Sequence, residues 1–173
     1  MFYNKIHLYY GNGKGKTTAA VGLAVRAAGS KMPVLFCEFL KDGSSGEIDM
    51  LNRLPGVDTM VINENFGFTW NMTERQKNAA KQAYSQLFIS ATEKADVYKL
   101  IVFDEIIDAI NADLIDKNLF IDSINHIKHN TEIVLTGHNP PQCIVDMADY
   151  VSCVTKVKHP FDVNLPARKG IEF

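Results

Sequence analysis

Short hydrophobic runs alternate along the chain with longer segments of helical character. Six runs have the length and composition of strands, and they cover residues 6–10, 34–40, 57–62, 100–103, 132–136 and 150–157. Three segments between them favour helices: residues 16–28, 73–94 and 106–128, the last with a break near Asp116. This alternation predicts an α/β fold with a mostly parallel central sheet, helices on both faces, and a ligand site at the carboxyl ends of the strands.

Two of the predicted helices carry terminal signals. Thr73 and Gln76 form the pattern of a capping box at the start of the second helix, and Gly29 is placed to cap the end of the first. The first helix is rich in small, helix-favouring residues, and Ala19, Ala20, Leu23, Ala24 and Ala27 form its apolar face.

Composition narrows the class of protein. A chain of 173 residues with 46% hydrophobic content fits a single domain over residues 1–173. Its 18 Lys and Arg against 20 Asp and Glu give no basic field for nucleic acid. The three cysteines lack the CxxC spacing of metal or redox sites, which favours a reducing cytoplasm, and there is neither a signal-peptide pattern nor an apolar run of about 18 residues. We expect no nucleic-acid partner and no membrane association.

A glycine-rich turn connects the first predicted strand to the first predicted helix. It reads Gly11, Asn12, Gly13, Lys14, Gly15, Lys16, Thr17, Thr18. In this context the backbone N–H groups and the helix N-terminus form an anion site, Lys16 supplies a charge to terminal phosphates, and Thr17 is placed to ligate Mg²⁺. The usual P-loop pattern has a glycine where this chain has Tyr10, so the first glycine is shifted by one position. The sequence still predicts a P-loop that binds MgATP.

Asp104 and Glu105 follow the fourth predicted strand. A P-loop protein places at this point the carboxylate that holds the metal ion, directly or through water. A charged pair after a strand also occurs as an ordinary solvated loop, and only the P-loop upstream favours the metal role. The spacing leaves open which of the two carboxylates contacts the ion.

Further motifs occur in order along nearly the whole chain. They are the P-loop with its shifted glycine, Arg26-Ala27, Phe39-Leu40-Lys41, Gly67-Phe68-Thr69-Trp70, Val102-Phe103-Asp104-Glu105, Thr136-Gly137-His138-Asn139, and Lys158-His159-Pro160-Phe161 with the segment 167–173. In this order and spacing the chain resembles the ATP:corrinoid adenosyltransferases of the cobalamin-synthesis type. The resemblance implies a single RecA-like P-loop NTPase domain.

The resemblance also implies a reaction. The Co(I) of a reduced corrinoid, such as cob(I)alamin, attacks C5′ of ATP, and the triphosphate leaves. Lys16, Thr17 and Glu105 are then expected in the catalytic site, with Thr17, Asp104 and Glu105 around Mg²⁺ or Mn²⁺. Arg26 and Lys41 are expected as polar partners of ATP, although the sequence alone equally fits Arg26 as an exposed solubilising residue. A homodimer and an electron-donating reductase complete the implied partners.

Phe68 and Trp70 are spaced two residues apart in a glycine-containing loop. By resemblance they bind the corrinoid, cover the lower face of the corrin and displace its axial base, which eases reduction of Co(II) and makes them part of the catalytic site. The alternative is that both rings only anchor a long loop to the domain. The residues alone favour that anchoring role, and the resemblance favours the corrin-facing one.

The chain departs from the family pattern at three places. His138 stands where family members commonly have arginine, and Asn164 stands where the usual tail has glycine. The first strand begins within a few residues of Met1, whereas longer members have an N-terminal extension over the active site. We therefore expect closure of the site to differ or to depend on a partner subunit.

Two other functions fit parts of the sequence. A P-loop ATPase or kinase would use Glu105 as its catalytic carboxylate, but it gives Phe68 and Trp70 no purpose. A nucleotide-dependent corrinoid carrier would bind both ligands without reaction, and the intact Lys16, Thr17 and Glu105 weigh against it.

Overall fold

The computed structural model describes residues 4–64, 66–67 and 72–171. Six strands form one sheet in the order β3-β2-β4-β5-β1-β6, and each pair of neighbouring strands is parallel. The strands are β1 (Ile6–Tyr10), β2 (Val34–Glu38), β3 (Val57–Met60), β4 (Leu100–Asp104), β5 (Glu132–Gly137) and β6 (Tyr150–Cys153). The predicted parallel α/β sheet is confirmed, although β2, β3 and β6 end earlier than predicted.

Helices cover both faces of the sheet, as predicted. They are α1 (Lys16–Gly29), α2 (Gly46–Leu51), α3 (Glu74–Glu93), α4 (Ile106–Asn111), α5 (Lys117–Ile127) and α6 (Gln142–Met147). The side chains of β4 show the division between the faces: Ile101 and Phe103 join the core under α3 to α6, and Leu100 and Val102 join the core under α1 and α2. A single domain over residues 1–173 stays a prediction.

Helix α1 lies close to the sheet because the residues on its buried face are small. Ala20, Ala24 and Ala27 are buried against the strands, whereas Ala19, predicted on the same face, is exposed. Gly29 is the last helical residue and not the cap. The cap is Ser30, whose backbone N–H donates to the carbonyls of Arg26 and Ala27.

The other helix signals have the predicted roles. Thr73 and Gln76 form a complete capping box at the start of α3. The helical segment 106–128 is interrupted between α4 and α5, and Asp116 caps α5 by accepting the Leu119 N–H at 2.8 Å. Two short helices, α2 and α6, were not predicted. Over the described ranges, no helix combines the length and apolar character needed to cross a bilayer.

Candidate active site

The P-loop connects β1 to α1 at the carboxyl edge of the sheet. Gly11 has a φ of 115°, and a Cβ at Gly11 would lie 2.5 Å from the Val154 carbonyl oxygen. Gly13 donates its N–H to that carbonyl at 2.8 Å and also has no room for a Cβ. Both glycines are therefore required because the chain after β6 passes directly against the loop. The shifted glycine at position 11 serves this close approach.

Gly15 has a different role from Gly11 and Gly13. It has a φ of 124°, but no atom lies within 4 Å of a Cβ built there. This glycine is needed for its left-handed backbone conformation, and the space beside it is open to a ligand. Asn12, Lys14 and Thr18 are exposed around the loop.

Lys16, the P-loop lysine, is buried with 7% of its surface exposed. Its Nζ donates to the Gly13 carbonyl at 3.2 Å and lies 3.3 Å from Nε2 of His138. Neither partner carries a formal negative charge when the imidazole is neutral. The ammonium therefore has no carboxylate counter-ion among these contacts and is available to an anion.

Asp104 is the fully buried carboxylate at the end of β4. Its Oδ1 accepts hydrogen bonds from the hydroxyls of Thr17 at 2.9 Å and Thr136 at 2.8 Å. Its Oδ2 accepts from Lys41 Nζ at 3.1 Å. The P-loop, β4 and β5 are thus joined through this carboxylate.

Lys41 reaches Asp104 because the chain turns sharply after β2, where Leu40 has a left-handed φ of 59°. Its Nζ also contacts Glu38 at 3.2 Å and Glu47 at 3.4 Å. Burial opposes the charge of Lys41, but Asp104 and Glu38 outweigh burial and raise its pKa. Lys41 is therefore held as a cation by these carboxylates, although about a third of its side chain is exposed.

Glu38 is fully buried at the end of β2. Its Oε1 accepts from Lys41 and from the Ser45 hydroxyl, whereas its Oε2 has no partner among the described residues. Burial raises the pKa of this carboxyl, and Lys41 and Ser45 partly oppose the increase.

Glu105 follows Asp104 with a left-handed φ of 62°, a conformation that is rare outside glycine. Its backbone N–H donates to the Thr136 hydroxyl at 2.8 Å. Burial, then the charge of Asp104, then a hydrogen bond with Asp108 raise the pKa of Glu105 to about 8.

Two cavities meet at the P-loop. One, of about 610 Å³, is lined by Gly13, Lys14, Gly15, Lys16, Thr17, Thr18, Val21, Lys41, Gly46, Glu47, Glu105, Gly170 and Ile171. The other, of about 680 Å³, is lined by Asn12, Gly13, Lys14, Lys16, His138 and residues of the tail between His159 and Arg168. The structure therefore brings the P-loop together with Lys41 and Glu105, and Asp104 lies directly behind Thr17.

Of the predicted site residues that the structure describes, Gly11, Asp104 and Arg26 line neither cavity. Arg26 is exposed near the end of α1, about 15 Å along the helix from Lys16. Phe68 and Trp70 lie outside the described residues.

Four polar residues of the site were not predicted: Glu38, Glu47, Asp108 and Thr136. Thr136 belongs to a motif that the sequence analysis used, and Asp108 lies three residues after another. Their partners, Asp104 and His138, come from other parts of the chain. A carboxylate at the buried end of β2 was the one signal available for Glu38.

Oxygen donors surround the predicted metal position. The hydroxyl of Thr17 and the carboxylates of Asp104 and Glu105 are hard ligands of the kind that Mg²⁺ and Mn²⁺ prefer. The ammonium of Lys41 beside Asp104 Oδ2 shows that a cation is stable next to this carboxylate. The residues present fit a divalent cation.

Comparison with known proteins agrees with this geometry. A family model described as ATP:corrinoid adenosyltransferase BtuR/CobO/CobP matches residues 3–173. The corrinoid adenosyltransferase of Pseudomonas aeruginosa is 33% identical over 169 residues, covering 96% of this chain and 82% of the relative. That of Escherichia coli K12 is 31% identical over 175 residues, covering 97% and 85%. Sequence motifs, parallel sheet and P-loop site together place this chain in the ATP:corrinoid adenosyltransferase family.

Proposed function

We propose that this protein transfers the 5′-deoxyadenosyl group of ATP to the Co(I) of a reduced corrinoid. The cobalt electron pair forms the Co–C5′ bond, the C5′–O5′ bond breaks, and its electrons leave on the oxygen of inorganic triphosphate. The observation that carries the proposal is a P-loop whose buried lysine contacts a carbonyl and an imidazole, and no carboxylate, among the described residues, in a chain that matches this family along its length.

The chain's own residues supply charge stabilisation and not proton transfer. Cobalt(I) is the nucleophile, so no side chain has to remove a proton from it. The loop amides, the N-terminus of α1 and Lys16 face the position where negative charge grows as the triphosphate leaves. A single preorganised donor of this type is worth about 3–4 kcal/mol of transition-state stabilisation.

We assign Thr17, Asp104 and Glu105 to a Mg²⁺ or Mn²⁺ ion. When bound, the ion would neutralise part of the triphosphate charge. Thr17 would turn its hydroxyl oxygen toward the ion and keep Asp104 behind it as a hydrogen-bond acceptor. Metal binding would favour the ionised form of Glu105, because the charge of the ion would offset the burial and the Asp104 charge that raise its pKa.

The ATP and corrinoid contacts follow from the same assignment. Lys41 lines the cavity of about 610 Å³ beside the P-loop, where it would contact the nucleotide. Phe68 and Trp70 remain assigned to the corrinoid, and Arg26 to the nucleotide, as predictions from the family resemblance. A homodimer, a reductase that delivers the electron and a cytoplasmic location belong to the same proposal.

The deciding experiment is an anaerobic assay with purified protein, cob(I)alamin, ATP and Mg²⁺. Adenosylcobalamin formation is followed by absorbance, and the phosphate product is identified by chromatography. Adenosylcobalamin with intact triphosphate is expected. Orthophosphate without a cobalt–carbon bond would instead support an ATPase, and bound ATP and corrinoid without any product would support a carrier.

A further inference from the structure

His138 lies beside the P-loop lysine, although the proposed machinery gives it no role. Its Nε2 is 3.3 Å from Lys16 Nζ, and the side chain is 42% exposed. It lines the cavity of about 680 Å³ together with Lys14, Lys16 and Arg168, and no carboxylate is among the described residues that line this cavity. The imidazole is therefore at a position suited to an anion.

Asp108 on α4 holds the imidazole in place. Its two carboxylate oxygens are each 3.2 Å from Nδ1 of His138, and Oδ2 also accepts the backbone N–H of His138 at 2.9 Å. The preceding Gly137 permits this approach, since a Cβ there would lie 2.5 Å from Asp108 Oδ2. Asn111, also on α4, donates to the carbonyls of His138 and Asn139. The ring is thus oriented by its backbone and side-chain contacts together.

The contacts fix the protonation pattern of the ring without a ligand. A lysine ammonium only donates hydrogen bonds, so Nε2 must accept from Lys16. Nδ1 then carries the hydrogen and donates it to Asp108. A bound triphosphate competes with this arrangement. Its oxygens attract the Lys16 ammonium, and a bare Nε2 beside them would be an acceptor that faces other acceptors.

We propose that His138, oriented by Asp108, is a triphosphate-binding residue whose Nε2 takes up one solvent proton as Lys16 moves onto phosphate, and then donates to a phosphate oxygen. The inference rests on the proposed function, because triphosphate is the group that leaves during adenosyl transfer. The leaving group would then gain a further positive charge beside Lys16, from the residue that directly follows β5.

The charges around the ring support a ligand-linked proton. Lys16 on α1, and Lys14 and Arg168 on the same cavity, oppose a positive imidazole in the free protein. Asp108 favours it, and Glu105 and His159 are the other titratable groups nearby. A bound triphosphate adds several negative charges and reverses this balance.

The test measures binding of inorganic tripolyphosphate by calorimetry, without corrinoid. Titrations of wild type, His138→Arg and His138→Gln are made at pH 7.5 in two buffers of different ionisation enthalpy, and affinities are compared at pH 6.5 and 8.5. Arginine at position 138 is always charged and glutamine is never charged, so neither takes up a proton. Protons that tripolyphosphate itself binds or releases are the same for all variants, and the difference in proton uptake from wild type therefore reports His138. Lys81→Ala, an exposed lysine on α3, is the matched control, and thermal melts verify folding.

Wild type is expected to take up more protons per ligand than His138→Arg, and to lose about tenfold more affinity between pH 6.5 and 8.5. His138→Gln should bind about tenfold more weakly than wild type at pH 6.5, and Asp108→Asn should fall between them. Equal proton uptake in wild type and His138→Arg would overturn the inference, as would unchanged affinity in His138→Gln or no tripolyphosphate binding by wild type. The proposed function is tested separately by the adenosylcobalamin assay: if no adenosylcobalamin forms there, the proposed function fails, whatever the tripolyphosphate titrations show.

Discussion

Two lysines of the same site have opposite electrostatic surroundings. Lys16 contacts a backbone carbonyl and an imidazole nitrogen. Lys41, on the other side of Thr17, contacts the carboxylates of Glu38, Glu47 and Asp104. A lysine with neutral partners loses little when it transfers to a phosphate, whereas a lysine with three carboxylates holds buried charges together.

We therefore expect one lysine of this pocket to serve mainly ligand binding and the other mainly the stability of the fold. Lys16 and its contacts should contribute to ligand binding and catalysis but should add little to the free energy of unfolding. The Lys41 region should stabilise the free protein and define the position of the loop that carries Glu47 and α2. Substitutions at the two lysines test the distinction directly.

The largest effect is expected for Lys16→Ala. Loss of the charge that faces the triphosphate should reduce kcat/KM for adenosyl transfer at least ~100-fold. The melting temperature should change by no more than about 2 °C, because the lost contacts are a carbonyl and a neutral ring. Steady-state assays and calorimetric melts measure both quantities, with Lys81→Ala as the surface control. A large loss of stability would contradict the assignment of Lys16 as a lysine held ready for a ligand.

Lys41→Ala should show the reverse pattern. Without the ammonium, Glu38 and Asp104 become uncompensated buried carboxylates, so the metal-free protein should lose about 2–3 kcal/mol of unfolding free energy. Denaturant unfolding with and without Mn²⁺ is the measurement. Millimolar Mn²⁺ should restore more stability in Lys41→Ala than in wild type, since a divalent cation can replace the lost charge beside Asp104. Equal stabilisation of the two proteins by Mn²⁺ would show that Lys41 and the ion occupy unrelated positions.

Glu105, between the two regions, should make stability depend on pH. Its pKa is raised from 4.5 to about 8, so between these values the folded protein binds more protons than the unfolded chain. Unfolding free energy of the metal-free protein should therefore fall as pH rises through this window, by on the order of 5 kcal/mol at most. Glu105→Gln should flatten that dependence in urea titrations between pH 5 and 8. An unchanged slope in this variant would assign the dependence to another group.

Local patterns predicted the fold because each strand and helix carries its own signal. Apolar runs, the capping box at Thr73 and the break near Asp116 depend on residues close in sequence, and all three agree with the structure. Helices α2 and α6 escaped prediction because each has six residues, fewer than periodicity can resolve.

The candidate site was predictable only in part. The P-loop and Asp104-Glu105 have sequence patterns, and the structure brings them together through Thr17 and Asp104. The Lys41 network joins β2, α2 and β4, and the His138 contacts join β5 to α1 and α4. These groupings depend on the order of strands in the sheet, which no spacing along the chain encodes.

The smallest effect concerns the tail over the Lys16 side of the site. Asn164 ends a short 3₁₀ helix (Pro160–Val163) with a left-handed φ of 59°, a conformation that asparagine tolerates and that glycine adopts freely. Asn164→Gly should therefore leave tripolyphosphate affinity within twofold of wild type.

Asn164→Val is the informative counterpart, because a β-branched residue is strained in this conformation. The neighbouring Phe161 and Leu165 line the cavity that contains Lys16 and His138, so displacement of this turn should weaken tripolyphosphate binding about threefold. The Mn²⁺ stabilisation, which depends on the Lys41 side, should stay unchanged. If tripolyphosphate affinity and Mn²⁺ stabilisation both fall to the same extent, the tail supports the whole pocket. Lys16 and Lys41 would then differ in their charged neighbours but not in their dependence on the tail.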